Sequence, residues 1–559
     1  MSSFSNLLGW FRHMCMLGMG AMFLMTKTVY GKERLFLVKD GKTDYSIYVN
    51  RADSLALRAA KIVQRYTKES TGQELSIRSG QASGNAIIIK RIDNDRSSDQ
   101  TVNYTLYVEG ENLHIRGEGL GVVYAAYRYV REIIGGRKWY TGTENTWIPM
   151  RRELPVNMDF YLSARPSFRF REVYFPVELD REYLDWYGLH NLEELWGLWG
   201  HTFDKILPAE LYFKSYPTYY AYYQGRRQPI QLCLSNEAVF EHTVRFFKEK
   251  IQENPRATYW SIAPNDAIGY CTCGLCKAKN EYDGGPQGAL IHFVNRVATR
   301  FPEQKFSTLT YSQTANAPTH TRVADNVYVI LSNAEAFRGK EICREPSAEN
   351  FRKQLSDWQA KSKHVFVWDY LTQFTSYLAP FPIQGTMQPN LHYLQSRNVE
   401  GVFLQGGGST YTDMAELNAY VLAHLVWDVD LSEGHLTNEF LDGYYGKASP
   451  FVRAYVHMRR DALPFRSSGL SIYGNPNHNR NDFLSTAAMD SYSSLLEKAE
   501  TSVEGDKKLE ERIRRIGLGL DYTYLQLCLF FGSRQYGVFE KIDGHWMARP
   551  YVVQKIKQL

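Results

Sequence analysis

The side chains in this sequence best suited to chemistry are carboxylates and amides at the ends of short apolar segments. ATYWSIAPND (257–266) ends in Asn265-Asp266, NVYVILSN (326–333) runs into Ala334-Glu335, and HVFVWDY (364–370) carries Asp369. Around them stand Trp199 and His201 in WGLWGH, Tyr311, Trp368, Tyr370, Gln405 and Arg171. Carboxylates interleaved with rings suit carbohydrate chemistry. Glycosidic cleavage needs a proton for the leaving oxygen and stabilisation of an oxocarbenium-like centre. Aromatic faces pack on the apolar faces of sugar rings, while amides and guanidinium groups read the hydroxyls. Each carboxylate also has a structural reading: Asp266 as a loop or helix cap, Asp369 as an Asx-turn residue, Glu335 as a solvated loop group. His201 competes with the ordinary structural histidine, and His292, on an apolar helix face, reads as structural.

The run Cys271-Thr-Cys273-Gly-Leu-Cys276 follows Asp266 directly. Three thiolates could hold a structural zinc if a fourth ligand, such as Cys233 or a histidine, came from elsewhere. Two could instead pair as a disulfide in an exported protein. Either way the cluster would stiffen the loop that presents Asp266. No other cofactor is expected: Gly406-Gly407-Gly408 and GEGLG (117–121) lack the spacing and later acidic partner of a dinucleotide fingerprint.

Elements must place these groups. Eight short apolar segments recur with helices between them: 168–175, 192–200, 229–235, 257–266, 305–312, 326–333, 364–370 and 400–408. Eight strands over about 240 residues predict a (β/α)8 TIM barrel, α/β in class, whose active site lies at the carboxyl ends of the strands. The Tyr-rich stretch 216–223 is a rival for the third strand. Upstream, strand-like segments alternate with two helical patterns, one capped by Asp53 and one ending at Gly135-Gly136, which predicts a small α+β domain. The boundaries read as 1–30, 31–160, 166–450 and 451–559, the last a helical region interrupted by GNPNHNRND (474–482). The 12-residue apolar run 14–25, preceded by Arg12, is too short for a bilayer and matches a signal peptide. No later segment approaches 18 consecutive apolar residues, so no membrane span is expected.

Composition narrows the classes. The 559 residues carry 65 Lys plus Arg against 60 Asp plus Glu, a net +5 with no long basic run, which argues against a nucleic-acid partner. Aromatic content of 14% calls for a large core, an aromatic-lined cleft, or both.

Several motifs resemble known families. GEGLGVVYAAYRYVREIIGGRKWY (117–140) resembles the end of the domain that precedes the barrel in α-glucuronidases and β-hexosaminidases. WGHTF (199–203), QLCLS (231–235), SIAPNDAIGYCTCGLC (261–276), VWDY (367–370) and AYVLAHLVWD through FLDGYYG (419–446) resemble domain-of-unknown-function family 4838. Members of that family include glycoside hydrolase family 163, endo-acting β-N-acetylglucosaminidases on complex N-glycans. The resemblance implies a β-hexosaminidase domain 2-like N-terminal domain and an exported glycoside hydrolase, periplasmic or secreted, with an oligosaccharide or glycan as substrate. It further implies a retaining, substrate-assisted reaction in which the acetamido oxygen is the nucleophile. Asn265 would then orient the acetamide or a hydroxyl and Asp266 act as acid/base, or Asp266 would polarise while Glu335 donates the proton. The alternatives are an inverting α-glucuronidase-like hydrolase, pairing Asp369 with Glu335, and a glycan-binding protein without catalysis.

Overall fold

The computed structural model describes residues 33–92, 102–463 and 469–558, so the apolar run 14–25 lies outside the described residues. The first sheet is mixed and six-stranded: β1 (Ser46–Val49), β2 (Ser76–Arg78), β3 (Ala86–Ile92), β4 (Tyr104–Glu109), β5 (Asn112–Glu118) and β6 (Tyr161–Ala164), in the order β6-β4-β5-β3-β1-β2. Helices α1 (Ser54–Thr71) and α2 (Gly121–Tyr129) pack on each other and on this sheet. Asp53 starts α1, its carboxylate accepting the N–H groups of Leu55 and Ala56 at 3.1 and 3.0 Å. Because β6 pairs with β4, the first sheet extends past residue 160.

Seven strands then form one parallel sheet, curled into a half-barrel: β7 (Phe170–Tyr174), β8 (Trp196–Leu198), β11 (Tyr259–Ser261), β12 (Lys305–Thr310), β13 (Val327–Ser332), β14 (His364–Tyr370) and β15 (Gly401–Gln405). Their order is β7-β15-β14-β13-β12-β11-β8, with β7 and β8 at the edges. The segment expected as the third barrel strand is not among them. Tyr220–Tyr223 (β9) and Arg226–Leu232 (β10) form an antiparallel hairpin, and β8 pairs directly with β11. Gln224 and Gly225 both have positive φ, 48° and 79°, as a tight two-residue hairpin turn requires. Closing this local hairpin orders a much shorter loop than inserting β10 between distant strands would. Two further expected strands are shorter than read. Leu192–Leu195 is a helical turn, and β11 ends at Ser261, leaving Asn265 and Asp266 on the loop beyond it.

Rings fill the half-barrel. Phe170, Trp196, Tyr259, Tyr328, Phe366 and Phe403 form its inner core with Leu309, Ile330 and Ala263. Phe170 and Trp196 bring the two edge strands together across the interior, with ring centroids 5.6 Å apart. A Cβ at Gly401 would come within 2.7 Å of Phe170 Cβ, so glycine there makes room for the stacked Phe170–Phe366 pair.

Beyond the sheet, helices α4 (Ser449–Asp461), α5 (Thr486–Ser502) and α6 (Lys507–Phe531) follow α3 (Gly274–Tyr282) of the barrel shell. The tail is not wholly helical, since Phe539–Ile542 and His545–Ala548 pair as a hairpin. It is tied to both preceding parts: Arg459 to Asp413 at 2.7 and 2.8 Å, Arg515 to Glu416 at 2.9 Å, and Arg512 to Asn145 at 2.6 Å. The stretch before α5 is held at the barrel mouth by Arg338 N–H to Leu470 O (3.0 Å) and Phe374 N–H to Ile472 O (2.9 Å).

Candidate active site

The carboxyl ends of β11, β12 and β13 open on a cavity of about 420 Å³, a size suited to a small ligand. Asp266, Tyr311, Gln313, Glu335, Asn350 and Tyr473 line it. Asp266 and Glu335 are both exposed. The Tyr311 hydroxyl donates to Asp266 Oδ1 at 3.0 Å. Burial, and then Asp266 itself, push the Tyr311 phenol well above its ordinary range, so it keeps its proton and remains a donor. His201 lies edge-on to Tyr311, centroids 5.5 Å apart, and its Nδ1 is 2.6 Å from Pro264 O. A carbonyl can only accept, so Nδ1 carries the proton in that contact and Nε2 is the remaining ring nitrogen.

The loop carrying Asp266 is clamped from below. Gln231 of β10 accepts Asn265 N–H at 3.0 Å and donates to Asn265 O at 2.8 Å. The Asn265 side chain accepts Asp204 N–H at 2.9 Å and donates to Ile230 O at 3.1 Å. Its amide thereby binds the loop to the hairpin and to the segment after β8, while Asn265 also lines the cavity beside Asp266. These two bonds give Asn265 a positioning role for the loop.

A tier of rings adjoins the cavity. Trp199 stacks on Trp368 with centroids 5.5 Å apart, and Trp368 stacks on Tyr370 at 6.1 Å. Trp368 Nε1 donates to Gln405 Oε1 at 2.6 Å, and Tyr370 OH meets Ser332 Oγ, a cavity-lining group, at 3.0 Å. Trp199, Trp368, Tyr370 and Gln405 are all half-buried.

Two expected site residues are placed elsewhere by strand alternation. Asp369 faces away from the interior, between Trp368 and Tyr370, and is 2% exposed. It accepts Asn333 Nδ2 at 2.7 Å and Tyr370 N–H at 2.8 Å, with the Arg338 guanidinium 3.4 Å away. This buried network braces the loop of Glu335 and removes Asp369 from any pairing with Glu335 across the cavity. Arg171 likewise turns outward. It is 1% exposed, donates to Gly188 O at 2.9 and 2.7 Å and to Phe168 O at 2.7 Å, and lies over the Trp427 ring. It reads no sugar hydroxyl. Its neighbour Glu172 points inward, sharing a face with Phe170 and Tyr174. It is fully buried, and neither carboxyl oxygen has a hydrogen-bond partner among the described residues. Burial, with Glu178 adding repulsion, holds it well above the ordinary carboxylate range and therefore neutral.

Sequence reasoning missed Gln231, Gln313 and Tyr473. Gln231 lies in the QLCLS motif, but Tyr473 comes from the tail and carries no local signal.

The cysteines converge as well. Cys233, directly after β10, joins Cys271, Cys273 and Cys276, with all four Sγ atoms within 4.8 Å of one another. No disulfide joins them.

The family model for the domain of unknown function DUF4838 matches residues 139–457, from the end of the first domain through the half-barrel to α4. The chain belongs to the DUF4838 family. No curated protein matches this DUF4838 chain. Among solved structures it is similar to a family GH115 4-O-methyl-α-glucuronidase with specificity for decorated arabinogalactans. That likeness has 11% identity and a TM-score of 0.54, and covers 88% of this chain and 73% of the other. It is also similar to a family 89 glycoside hydrolase from Clostridium perfringens in complex with 2-acetamido-1,2-dideoxynojirimycin, at 11% identity, TM-score 0.49, 86% of this chain and 63% of that one. A Streptomyces plicatus β-hexosaminidase in complex with GlcNAc matches at 12% identity and TM-score 0.41, over 76% and 93%. At such identities the likeness to the GH115 enzyme is one of fold.

Proposed function

We propose that this DUF4838 protein is a glycoside hydrolase acting on a neutral sugar, with Asp266 and Glu335 as its paired carboxylates. The observation that carries the reading is that two exposed carboxylates, from the loops after β11 and β13, line one cavity. Most of its other polar side chains, among them Gln313, Asn350, Gln354, Ser312 and Tyr473, are amides and hydroxyls. No Lys, Arg or His is among the described residues that line the cavity, so nothing there would pair with the carboxylate of a uronate, and a neutral substrate is favoured.

Within this reading the bond cleaved lies at N-acetylglucosamine and the reaction is retaining. The acetamido oxygen attacks C1 as the C1–O bond breaks, and Glu335 gives its proton to the leaving oxygen. Asp266, fixed by the Tyr311 phenol, accepts the acetamide N–H and so sharpens the nucleophile. Glu335, now a carboxylate, takes a proton from the water that opens the cyclic intermediate, and both groups return to their starting state. The rings of Trp199, Trp368 and Tyr370 extend the cleft for further sugars, consistent with endo cleavage of a complex N-glycan as the resemblance to glycoside hydrolase family 163 implies. Export to the periplasm or medium belongs to the same proposal and rests on the apolar run 14–25.

The test is product analysis on complex N-glycans, GlcNAc-terminated oligosaccharides and glucuronic-acid-bearing xylan and arabinogalactan fragments. Asp266→Asn and Glu335→Gln are assayed alongside. Release at N-acetylglucosamine with retained anomeric configuration is expected, with Glu335→Gln losing least on substrates whose leaving group needs no proton. Unchanged turnover by Asp266→Asn, or glycan binding without any turnover by the native chain, would overturn the proposal. Release of glucuronic acid alone would overturn the substrate assignment.

A further inference from the structure

Four cysteines meet where the hairpin β9–β10 touches the Asp266 loop. Cys271, Cys273 and Cys276 come from the loop after β11 and the start of α3, and Cys233 arrives from the end of β10, some forty residues earlier. Their Sγ atoms all lie within 4.8 Å of one another, and Cys233 and Cys273 are 3.6 Å apart. Four thiolates around zinc at about 2.3 Å place neighbouring sulfurs about 3.8 Å apart. A disulfide needs about 2.05 Å, and none is formed.

The surroundings suit charged thiolates. The Tyr222 backbone N–H lies 3.3 Å from Cys271 Sγ, and the Arg227 guanidinium approaches the same sulfur at 4.0 Å. The Ser235 hydroxyl is 3.3 Å from Cys276 Sγ. Cys273 stands at the N-terminus of α3, whose unpaired N–H groups favour negative charge. Cys233, Cys271 and Cys276 are buried and Cys273 is half-buried, and four protein thiolates are the ligand set of structural rather than catalytic zinc sites.

We infer that Cys233, Cys271, Cys273 and Cys276 bind one structural zinc ion. All four positions are filled by protein sulfur, which leaves none for water or sugar, so the ion takes no part in bond cleavage. It pins the end of the 262–273 loop to the hairpin, alongside the contact of Thr272 N–H with Tyr222 O at 2.7 Å. Gln231 clamps the other part of the same loop through Asn265. Asp266 thus stands on a short span held at both sides. That consequence rests on the proposed role of Asp266, whereas the metal site does not.

The experiment is metal analysis of the native chain, purified without chelator, with free thiols counted before and after a mercurial that strips thiolate-bound zinc. One equivalent of zinc per chain is expected, released in step with modification of four thiols. Cys233→Ser should lose at least nine-tenths of the metal, while Cys343→Ser, an exposed cysteine outside the cluster, should keep it. Limited proteolysis should cut the 262–273 region of the stripped native chain at least tenfold faster than that of the zinc form. Less than a tenth of an equivalent of zinc, iron in its place, or two disulfides among the four cysteines would overturn the inference. Full zinc in Cys233→Ser would overturn the ligand set. These readouts stand whether or not the chain hydrolyses a glycan.

Discussion

Glu172 and Asp266 both belong to strand-and-loop units of the same half-barrel, yet one is sealed inside it and the other reaches solvent. Glu172 lies within β7, where alternation turns it into an aromatic interior that offers neither oxygen a partner. Asp369 also lies within a strand, β14, but with the opposite parity, and it is turned outward onto Arg338 and Asn333. Asp266 and Glu335 stand beyond their strands, where the chain no longer alternates and loops converge. A carboxylate within these strands is assigned to core or shell by parity, and the two that line the cavity stand past their strand ends. Polar residues near strand ends are thus weak evidence for a site until the strand's last residue is known.

Four substitutions would break or sharpen this contrast. Asp266→Asn should lower turnover by about 10²- to 10³-fold, the range for losing a preorganised electrostatic partner of the reacting group, while leaving the unfolding midpoint in place because the side chain is exposed. Asp369→Ala should do the reverse. Stripping Arg338 of its buried partner should cost about 3–5 kcal/mol in denaturant unfolding, and activity per folded molecule should fall less than in Asp266→Asn. If Asp369→Ala instead lost activity at full stability, the parity argument would fail. Tyr311→Phe removes one hydrogen bond to a charged acceptor, about 1.5–3 kcal/mol, so kcat/KM should drop roughly 10- to 100-fold with the fold intact.

Glu172→Gln carries the smallest effect, and it appears in pH dependence. The folded chain holds the Glu172 proton above the pH at which the unfolded chain releases it, so the native state binds more protons there and stability falls as pH rises. The stabilisation is complete below the unfolded carboxylate range and is lost as pH climbs toward the raised folded value. The wild type should therefore lose stability relative to Glu172→Gln by at most about 1.4 kcal/mol per pH unit above that range. Parallel stability–pH curves for the two proteins would show that Glu172 is not held neutral.

The two halves of the aromatic enrichment also separate. Phe170, Trp196, Tyr259, Tyr328, Phe366 and Phe403 are core, while Trp199, Trp368 and Tyr370 form a half-buried tier beside the cavity. Sequence alone leaves these two uses of a ring hard to tell apart, because Phe366, Trp368 and Tyr370 occupy the same alternating positions of β14 and differ only in height along the barrel.

Local patterning determined much of this protein: the Asp53 cap, the α+β character of the first domain, seven of the barrel strands, and the position of Asp266 and Glu335 beyond strand ends. These features are set by short-range propensity and alternation, which a sequence displays directly. Tertiary structure decided the rest. It withheld β10 from the sheet, because a two-residue turn with positive φ pairs it with β9. It committed Asn265, Asp369 and Arg171 to internal partners, brought Tyr473 from the tail to the cavity, and gathered Cys233 with three cysteines about forty residues away. Each of those outcomes depends on contacts between distant segments, whose free energy no local stretch of sequence encodes by itself.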